Sequence, residues 1–175
     1  MQILGIDIGF ASLGWAIVDD TRGVVMCGVI RTEKAAKKVQ VRSSEDNIKR
    51  AQVLYSDLRD IIQNNTVDLI ATESMSWPRS AGVVAKMGIA WGVLASIAYQ
   101  FNLVMVQSSP MELKRKVCGD GKASKERMIA EIQSRNPNMV WPKQTALHEH
   151  VADAIGATIA CQDSDYVKWL RNLKT

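Results

Sequence analysis

Cysteine is scarce in this chain. Cys27, Cys118 and Cys161 are odd in number and set far apart. That argues against a disulfide framework and against a zinc site, and it fits a reducing compartment. No charged segment followed by an apolar run opens the chain, so no secretory leader is expected. The most apolar stretch, Gly82 to Phe101, is interrupted by Lys86 and filled with small residues. It is expected to be a buried helix and not a membrane span. Internal repeats and low-complexity segments are missing as well. The net charge is only +4, which admits a nucleic-acid partner without requiring one. What remains is ordinary for a soluble domain: 175 residues, 47% hydrophobic and 23% charged. That is enough to bury a real core, and one domain spanning 1–175 is expected.

The chain is organised around its first strand, Ile3-Leu4-Gly5-Ile6-Asp7-Ile8-Gly9. It is apolar but carries one carboxylate. An ionised carboxylate in a buried strand is costly unless a partner or a metal compensates it. A strand-end Asp capping a turn at Gly9 is the plain alternative. Phe10 to Asp20 reads as a tight turn and a second strand, Thr21-Arg22-Gly23 as a turn, and Val24 to Ile30 as a third strand. This acidic strand leading into a meander resembles the openings of both ribonuclease-H-like nucleases and actin-like sugar kinases.

A basic segment follows. Arg31 to Arg50 holds seven Lys and Arg against Glu33, Glu45 and Asp46. Its first part has no apolar period and reads as a mobile loop, solvated or touching phosphate. Ser43 or Ser44 is expected to cap a helix that runs to about Gln63 on Ile48, Ala51, Leu54, Tyr55, Leu58, Ile61 and Ile62. Val67 to Glu73 reads as a fourth strand with a second carboxylate at its end, where open α/β sheets place their chemistry. The loop after it carries Trp77 and Arg79. An exposed Trp there can stack on a base or wedge a branch point, and packing in the core is the competing role. Ser80 to Gln100 is a helix with small residues on several faces, suited to close packing against the sheet or a second subunit. Leu103 to Val106 is a fifth strand, and Ser108-Ser109-Pro110 starts a short helix.

The next stretch is basic again. Lys114, Arg115 and Lys116 precede a Gly119-Asp120-Gly121 turn, and Lys122 and Lys125 follow it. A helix is expected from about Ser124 to Ser134, and Lys114 and Lys125 can both face one phosphate path near its start. A solvated basic face is the other reading. The last long helix, about Thr145 to Gln162, holds His148, Glu149, His150 and Asp153. His150 and Asp153 share a face, and Glu149 can share one with Asp153. Asp153 lies on the apolar side, where an acid wants a cation. A short amphipathic helix, about 164–174, ends the chain.

Asp7 and Glu73 at strand ends, with His150 and Asp153 on a helix, form a set that can converge on two divalent ions. Oxygen donors suit Mg²⁺ or Mn²⁺, and histidine tolerates Mn²⁺. Two such ions activate a water and stabilise a leaving 3′ oxygen in phosphodiester cleavage. His148 and Glu149 are the rivals for the fourth position, and Glu149 is the better one because a carboxylate is the commoner ligand.

Gly5-Ile6-Asp7-Ile8-Gly9, the Glu73 strand end, Leu113-Lys114 through Lys125, and Ala152-Asp153-Ala154 together resemble the RuvC-type Holliday junction resolvases. The resemblance covers about residues 2 to 163. It implies an α/β, ribonuclease-H-like fold, a mixed five-stranded sheet flanked by helices. It also implies a metal-dependent endonuclease acting as a homodimer on four-way junctions, with symmetric nicks that leave ligatable 5′-phosphate ends. Catalytic and metal roles would fall to Asp7, Glu73, His150 and Asp153. DNA contacts would fall to Lys114, Lys125, Trp77, Arg79, Arg115 and Lys122. No membrane and no small-molecule cofactor is expected, and the setting would be cytoplasmic, in a bacterium or a phage-infected cell. Two departures stand out: His150 sits where many members carry Asp, and no aromatic residue lies three positions after Glu73, where Ser76 precedes Trp77. A flap or branched-DNA endonuclease of the same superfamily is a close alternative. An actin-like phosphotransferase is a distant one, since it would need a second phosphate-binding hairpin and usually two domains.

Overall fold

The computed structural model describes residues 1–36, 39–75 and 80–174. Five strands form one mixed sheet: β1 (Gln2–Asp7), β2 (Ser12–Asp19), β3 (Gly23–Arg31), β4 (Leu69–Glu73) and β5 (Val104–Ser108). Their spatial order is β3-β2-β1-β4-β5. The first three strands make an antiparallel meander, and β4 and β5 run parallel to β1. Parallel neighbours require helical crossovers. These are α1 (Ser43–Gln63), between β3 and β4, and α2 (Ala81–Gln100), between β4 and β5. Four further helices follow: α3 (Pro110–Cys118), α4 (Lys125–Arg135), α5 (His148–Ala160) and α6 (Asp165–Lys174).

Alternation along the strands builds two cores. Leu4, Ile6, Ile17 and Ile70 face one side and pack on Leu54, Leu58, Leu94 and Ile97 of α1 and α2. Ile3, Ala16, Leu69 and Ala71 face the other and pack on α3, α4 and α5 through Leu113, Met128, Val151 and Ile155. Successive side chains on a strand point to opposite faces, so each buried strand must be apolar on both.

Several elements end for visible reasons. Ser109 and Glu112 form a reciprocal capping box at α3, with the Ser109 N–H donating to Glu112 Oε2 at 2.7 Å. Gly119 closes that helix in the left-handed conformation at φ +72, which glycine adopts without a Cβ penalty. The Ser124 hydroxyl accepts from the Arg127 N–H at 3.2 Å and opens α4.

Some expectations shift. Ser43 and Ser44 lie inside α1, whose N-cap is Arg42 without a side-chain cap. The first strand ends at Asp7 and not Gly9, and the fifth runs on to Ser108. The last long helix is α5 flanked by single 3₁₀ turns, Thr145–Leu147 and Cys161–Asp163. The helix Ala81–Gln100 is long and apolar enough to cross a membrane by length and composition. It is not buried all round: Ala90, Leu94, Ile97 and Ala98 pack on the core, while Val83 and Tyr99 are among its exposed residues.

Candidate active site

β1 and β4 are parallel neighbours paired as far as Ile6 and Thr72. The next residues, Asp7 and Glu73, therefore stand side by side at the strands' C-terminal ends. The alternation that sends Ile3, Leu69 and Ala71 toward α5 sends these two carboxylates the same way.

The helix α5 lies across that face, antiparallel to β1. Glycine lets it come close. A methyl on Gly5 would lie 2.0 Å from the Ala154 carbonyl oxygen, and one on Gly14 would lie 2.1 Å from that of His150. Gly14 is the residue opposite Asp7 in the β1–β2 ladder. The helix thus rests on β2 at His150, beside Asp7, and His150 Nδ1–H donates to Asp7 Oδ2 at 2.7 Å. Asp153 follows three residues later on the same helical face.

The electrostatics describe a cluster short of positive charge. Burial pushes the Asp153 carboxyl up to about 7, the charges of Asp7, Glu73 and Glu149 push the same way, and Lys125 opposes them. Glu73 is also raised, by burial first and then by Asp7, while Lys114 pulls it down. The His150 imidazole is raised by its hydrogen bond to Asp7, against the effect of its own burial. Crowded carboxylates that repel one another's ionised forms call for a cation. Three carboxylates and one imidazole are a donor set for a hard divalent ion such as Mg²⁺ or Mn²⁺. As the side chains stand, no group of three or more metal-type side chains among the described residues is gathered tightly enough to hold an ion. The electrostatic strain and the open spacing describe one site. The strain is the better guide to its chemistry, because rotation about side-chain bonds closes spacing, whereas the strand and helix positions create the charge excess.

Both rivals on α5 are engaged elsewhere. Glu149 Oε2 is 2.7 Å from Lys125 Nζ. His148 Nε2 lies 2.8 Å from the Pro142 carbonyl oxygen, and its ring stacks obliquely on Trp141 at 4.9 Å. Those contacts fasten the 136–147 connection to the start of α5. The two expected lysines flank the cluster: Lys114 acts on Glu73, and Lys125 acts on Asp153 and feels Asp7. Arg115 and Lys122 are exposed on α3 and the turn after it. The Arg115 guanidinium lies 3.4 Å from Met111 Sδ on its own helix. Trp77 and Arg79 lie outside the described residues.

Two features of the structure go beyond what the sequence suggests. The first is the pair of close-approach glycines, Gly5 and Gly14, for which glycine inside a strand is the available signal. The second is Arg50, which closes the run of loop cations by sequence but is in fact buried. It heads the α1 row Arg50, Leu54, Leu58 and Ile62, all buried, so its i, i+4 spacing from Leu54 is the clue. Its guanidinium sits 4.4 Å from the Phe10 ring centroid, and its Nε–H donates to Thr32 Oγ1 at 2.9 Å. The Thr32 hydroxyl in turn donates to the Phe10 carbonyl at 2.5 Å. This pins the β1–β2 turn three residues beyond Asp7.

The sequence and fold have relatives. The family model for crossover junction endodeoxyribonuclease RuvC matches residues 3–161. A crossover junction endodeoxyribonuclease RuvC from Natranaerobius thermophilus is 32% identical over 141 residues, which is 77% of this chain and 81% of the relative. One from Pelotomaculum thermopropionicum is 28% identical over 177 residues and covers 99% of both chains. The structure of T. thermophilus RuvC in complex with a Holliday junction substrate aligns with a TM-score of 0.73 at 20% identity, over 91% of this chain and 92% of that one. At the level of the fold, the fowlpox virus resolvase bound to Holliday junction DNA is also similar, with a TM-score of 0.50 at 16% identity over 97% of this chain and 99% of that one.

Proposed function

The chain belongs to the RuvC family of crossover junction endodeoxyribonucleases, and we propose that Asp7, Glu73, His150 and Asp153 form the centre with which it nicks Holliday junctions. It is an endodeoxyribonuclease, and residues 1–175 serve that activity as one nuclease domain working in the cytoplasm. The observation that carries the assignment of the centre is the convergence of β1, β4 and α5: three carboxylates repel one another there and His150 touches Asp7.

Asp7, Glu73 and Asp153 would hold two divalent ions, Mg²⁺ or Mn²⁺, with His150 at the edge of the set. When bound, such ions activate the attacking water and stabilise the leaving 3′ oxygen. The chain's own groups do the rest. Lys114 and Lys125 neutralise phosphates beside the scissile bond and hold the strand over the carboxylates. Arg115, Lys122, Trp77 and Arg79 extend the contact along the branch. With Nδ1–H engaged by Asp7, the basic atom of the neutral His150 ring is Nε2, which can take a proton from the attacking water. Asp7 and Glu73 are paired in the sheet with Gly14 and Ser108, which keeps the reacting groups in register.

Symmetric nicks require two centres related by a two-fold axis, hence a homodimer. The face of α2 turned away from the core supports this. Ala81, Gly82, Val83, Ala85, Gly88, Gly92, Ala95 and Tyr99 are all exposed along it. An apolar helical face left open on a soluble protein is suited to a second copy of the chain.

The test compares synthetic four-way, three-way, flap and linear duplex DNA side by side, with Mg²⁺, with Mn²⁺ and with neither. Metal-dependent paired nicks on the four-way junction are expected. Asp7→Asn, Glu73→Gln and Asp153→Asn should each abolish nicking and leave junction binding largely intact, since the cations that supply affinity remain. Preferential cutting of flaps would move the chain to the neighbouring class of branched-DNA endonucleases. Wild-type nicking by the Asp7 or Asp153 variant would mean that the centre lies elsewhere in the fold.

A further inference from the structure

Glu149 is the acid of the α5 end that the proposed centre does not use. It stands next to His150, on the first turn of α5, and its carboxylate meets Lys125 Nζ at 2.7 Å. Lys125 is the first residue of α4, and its side chain is 66% exposed. Its cation bears on the crowded carboxylates, lowering Asp153 and feeling Asp7 in return. A lysine so placed would be expected to stand open toward incoming phosphate. It is instead held by a carboxylate that itself adds repulsion to Asp153.

We propose that Glu149 is a latch on Lys125: it holds the ammonium in the DNA-free protein and yields it to a phosphodiester, so that Glu149 lowers DNA affinity by competing for the cation. The inference rests on the reading of Lys125 as a phosphate contact. The competition is physically cheap to resolve. An exposed ion pair is worth little in water, and a phosphate oxygen bound beside Lys125 replaces one anionic acceptor by another. The exchange leaves Glu149 uncompensated next to bound DNA, where it recruits a counter-ion and offsets part of the counter-ion release that drives binding. Glu149 in this role touches neither metal nor substrate and acts only by withholding Lys125.

The experiment is a double-mutant cycle on the full chain, with Glu149→Gln, Lys125→Ala and the double variant. Binding to a fluorescent four-way junction is read by anisotropy across a salt series in divalent-free buffer, where no cleavage interferes. Glu149→Gln should tighten binding about two- to fivefold, the range of an exposed ion pair, and make the salt dependence steeper by up to about one ion. In the Lys125→Ala background the same substitution should have much less effect. Equal tightening in both backgrounds would show that Glu149 acts as a bare charge, and weaker binding would show that it orients Lys125 for DNA. Loss of nicking by Glu149→Gln at saturating enzyme, with binding kept, would make it a metal ligand. Any of these results, or no change at all, overturns the latch. The wild-type chain is assayed in parallel with Mg²⁺ on the same junction: failure there would count against the proposed function, whereas a wild type that nicks and a cycle without coupling would count against the latch alone.

Discussion

Gly14→Ala isolates the positioning of the site from its chemistry. The added methyl would stand 2.1 Å from the His150 carbonyl oxygen and 2.5 Å from its carbonyl carbon. An ordinary carbon–oxygen contact is about 3.3 Å, so α5 and β2 must part by about 1.2 Å at this point. The obstacle is backbone on both sides and cannot rotate away. Overpacking of this kind costs about 1–3 kcal/mol, which for a chain of this size lowers Tm by about 2–12 °C. The local consequence is larger. His150 and Asp153 ride on the displaced helix, whereas Asp7 and Glu73 stay on their strands, so the two halves of the centre separate. A displacement of about 1 Å in a reacting group costs about 100-fold in rate. The assay is single-turnover nicking of a four-way junction by saturating enzyme, with junction affinity and Tm measured on the same samples. A fall in rate of this order is expected, with binding reduced far less. Wild-type nicking at an unchanged Tm would refute the close approach of α5 to Gly14.

The crowded carboxylates predict a stability signature in divalent-free buffer. Asp153 holds its proton more tightly folded than unfolded, so stability falls as pH rises from 3.8 to about 7. His150, raised above its usual value, loses its contribution in the same direction as pH passes that raised value. Asp153→Asn removes the first effect, with a ceiling of about 4 kcal/mol. It should melt above the wild type at pH 8 and not at pH 4, and equal melting at pH 8 would count against the crowding. Lys114→Ala removes the cation that opposes the rise at Glu73 and, on the proposed function, one phosphate contact, so the salt dependence of junction binding should flatten by about 0.9 of an ion. An unchanged slope would make Lys114 plain surface. Methyls on Gly88 or Gly92 meet nothing within 4 Å, so alanine there should stabilise the isolated chain by about 0.5–1 kcal/mol. If α2 is the dimer face, the same variants should weaken the dimer in sedimentation, and a dimer indifferent to both would move the interface elsewhere.

Most of the fold is legible in the sequence because its signals are local. The five strands are short apolar runs bounded by turns, and the capping residues Ser109 and Ser124 mark two helix starts. The differences lie where a local rule is outvoted. Ser43 and Ser44 are good caps by type, yet α1 is capped a residue earlier at Arg42, because its register is fixed by Arg50, Leu54, Leu58 and Ile62 packing against the sheet. Charge is usually solvated, so Arg50 reads by sequence as one more cation of the basic segment. The Phe10 ring and Thr32, brought close by the meander, and the Asp46 carboxylate at 3.9 Å one turn earlier on α1 make its burial tolerable.

The acidic positions of the proposed centre can be picked out for a related reason: a carboxylate at the end of a buried strand is costly unless it caps a turn or meets a cation, and two of them in one chain point to a candidate centre before any geometry is known. Pairing among them is not legible. His148, Glu149 and His150 are consecutive, and helical spacing alone cannot say which of them turns inward. Gly14, a residue more than a hundred positions away, bears on that choice: it lets the backbone of α5 settle on β2 at His150. Once His150 faces Asp7, the 100° step per residue carries Glu149 around to α4 and Lys125, and His148 on to the Trp141–Pro142 connection. The three side chains therefore have three separate partners fixed by one steric permission. For that reason a substitution at Gly14, which carries no chemistry of its own, is expected to disturb the His150–Asp7 contact, the Glu149–Lys125 pair and the His148 loop anchor together.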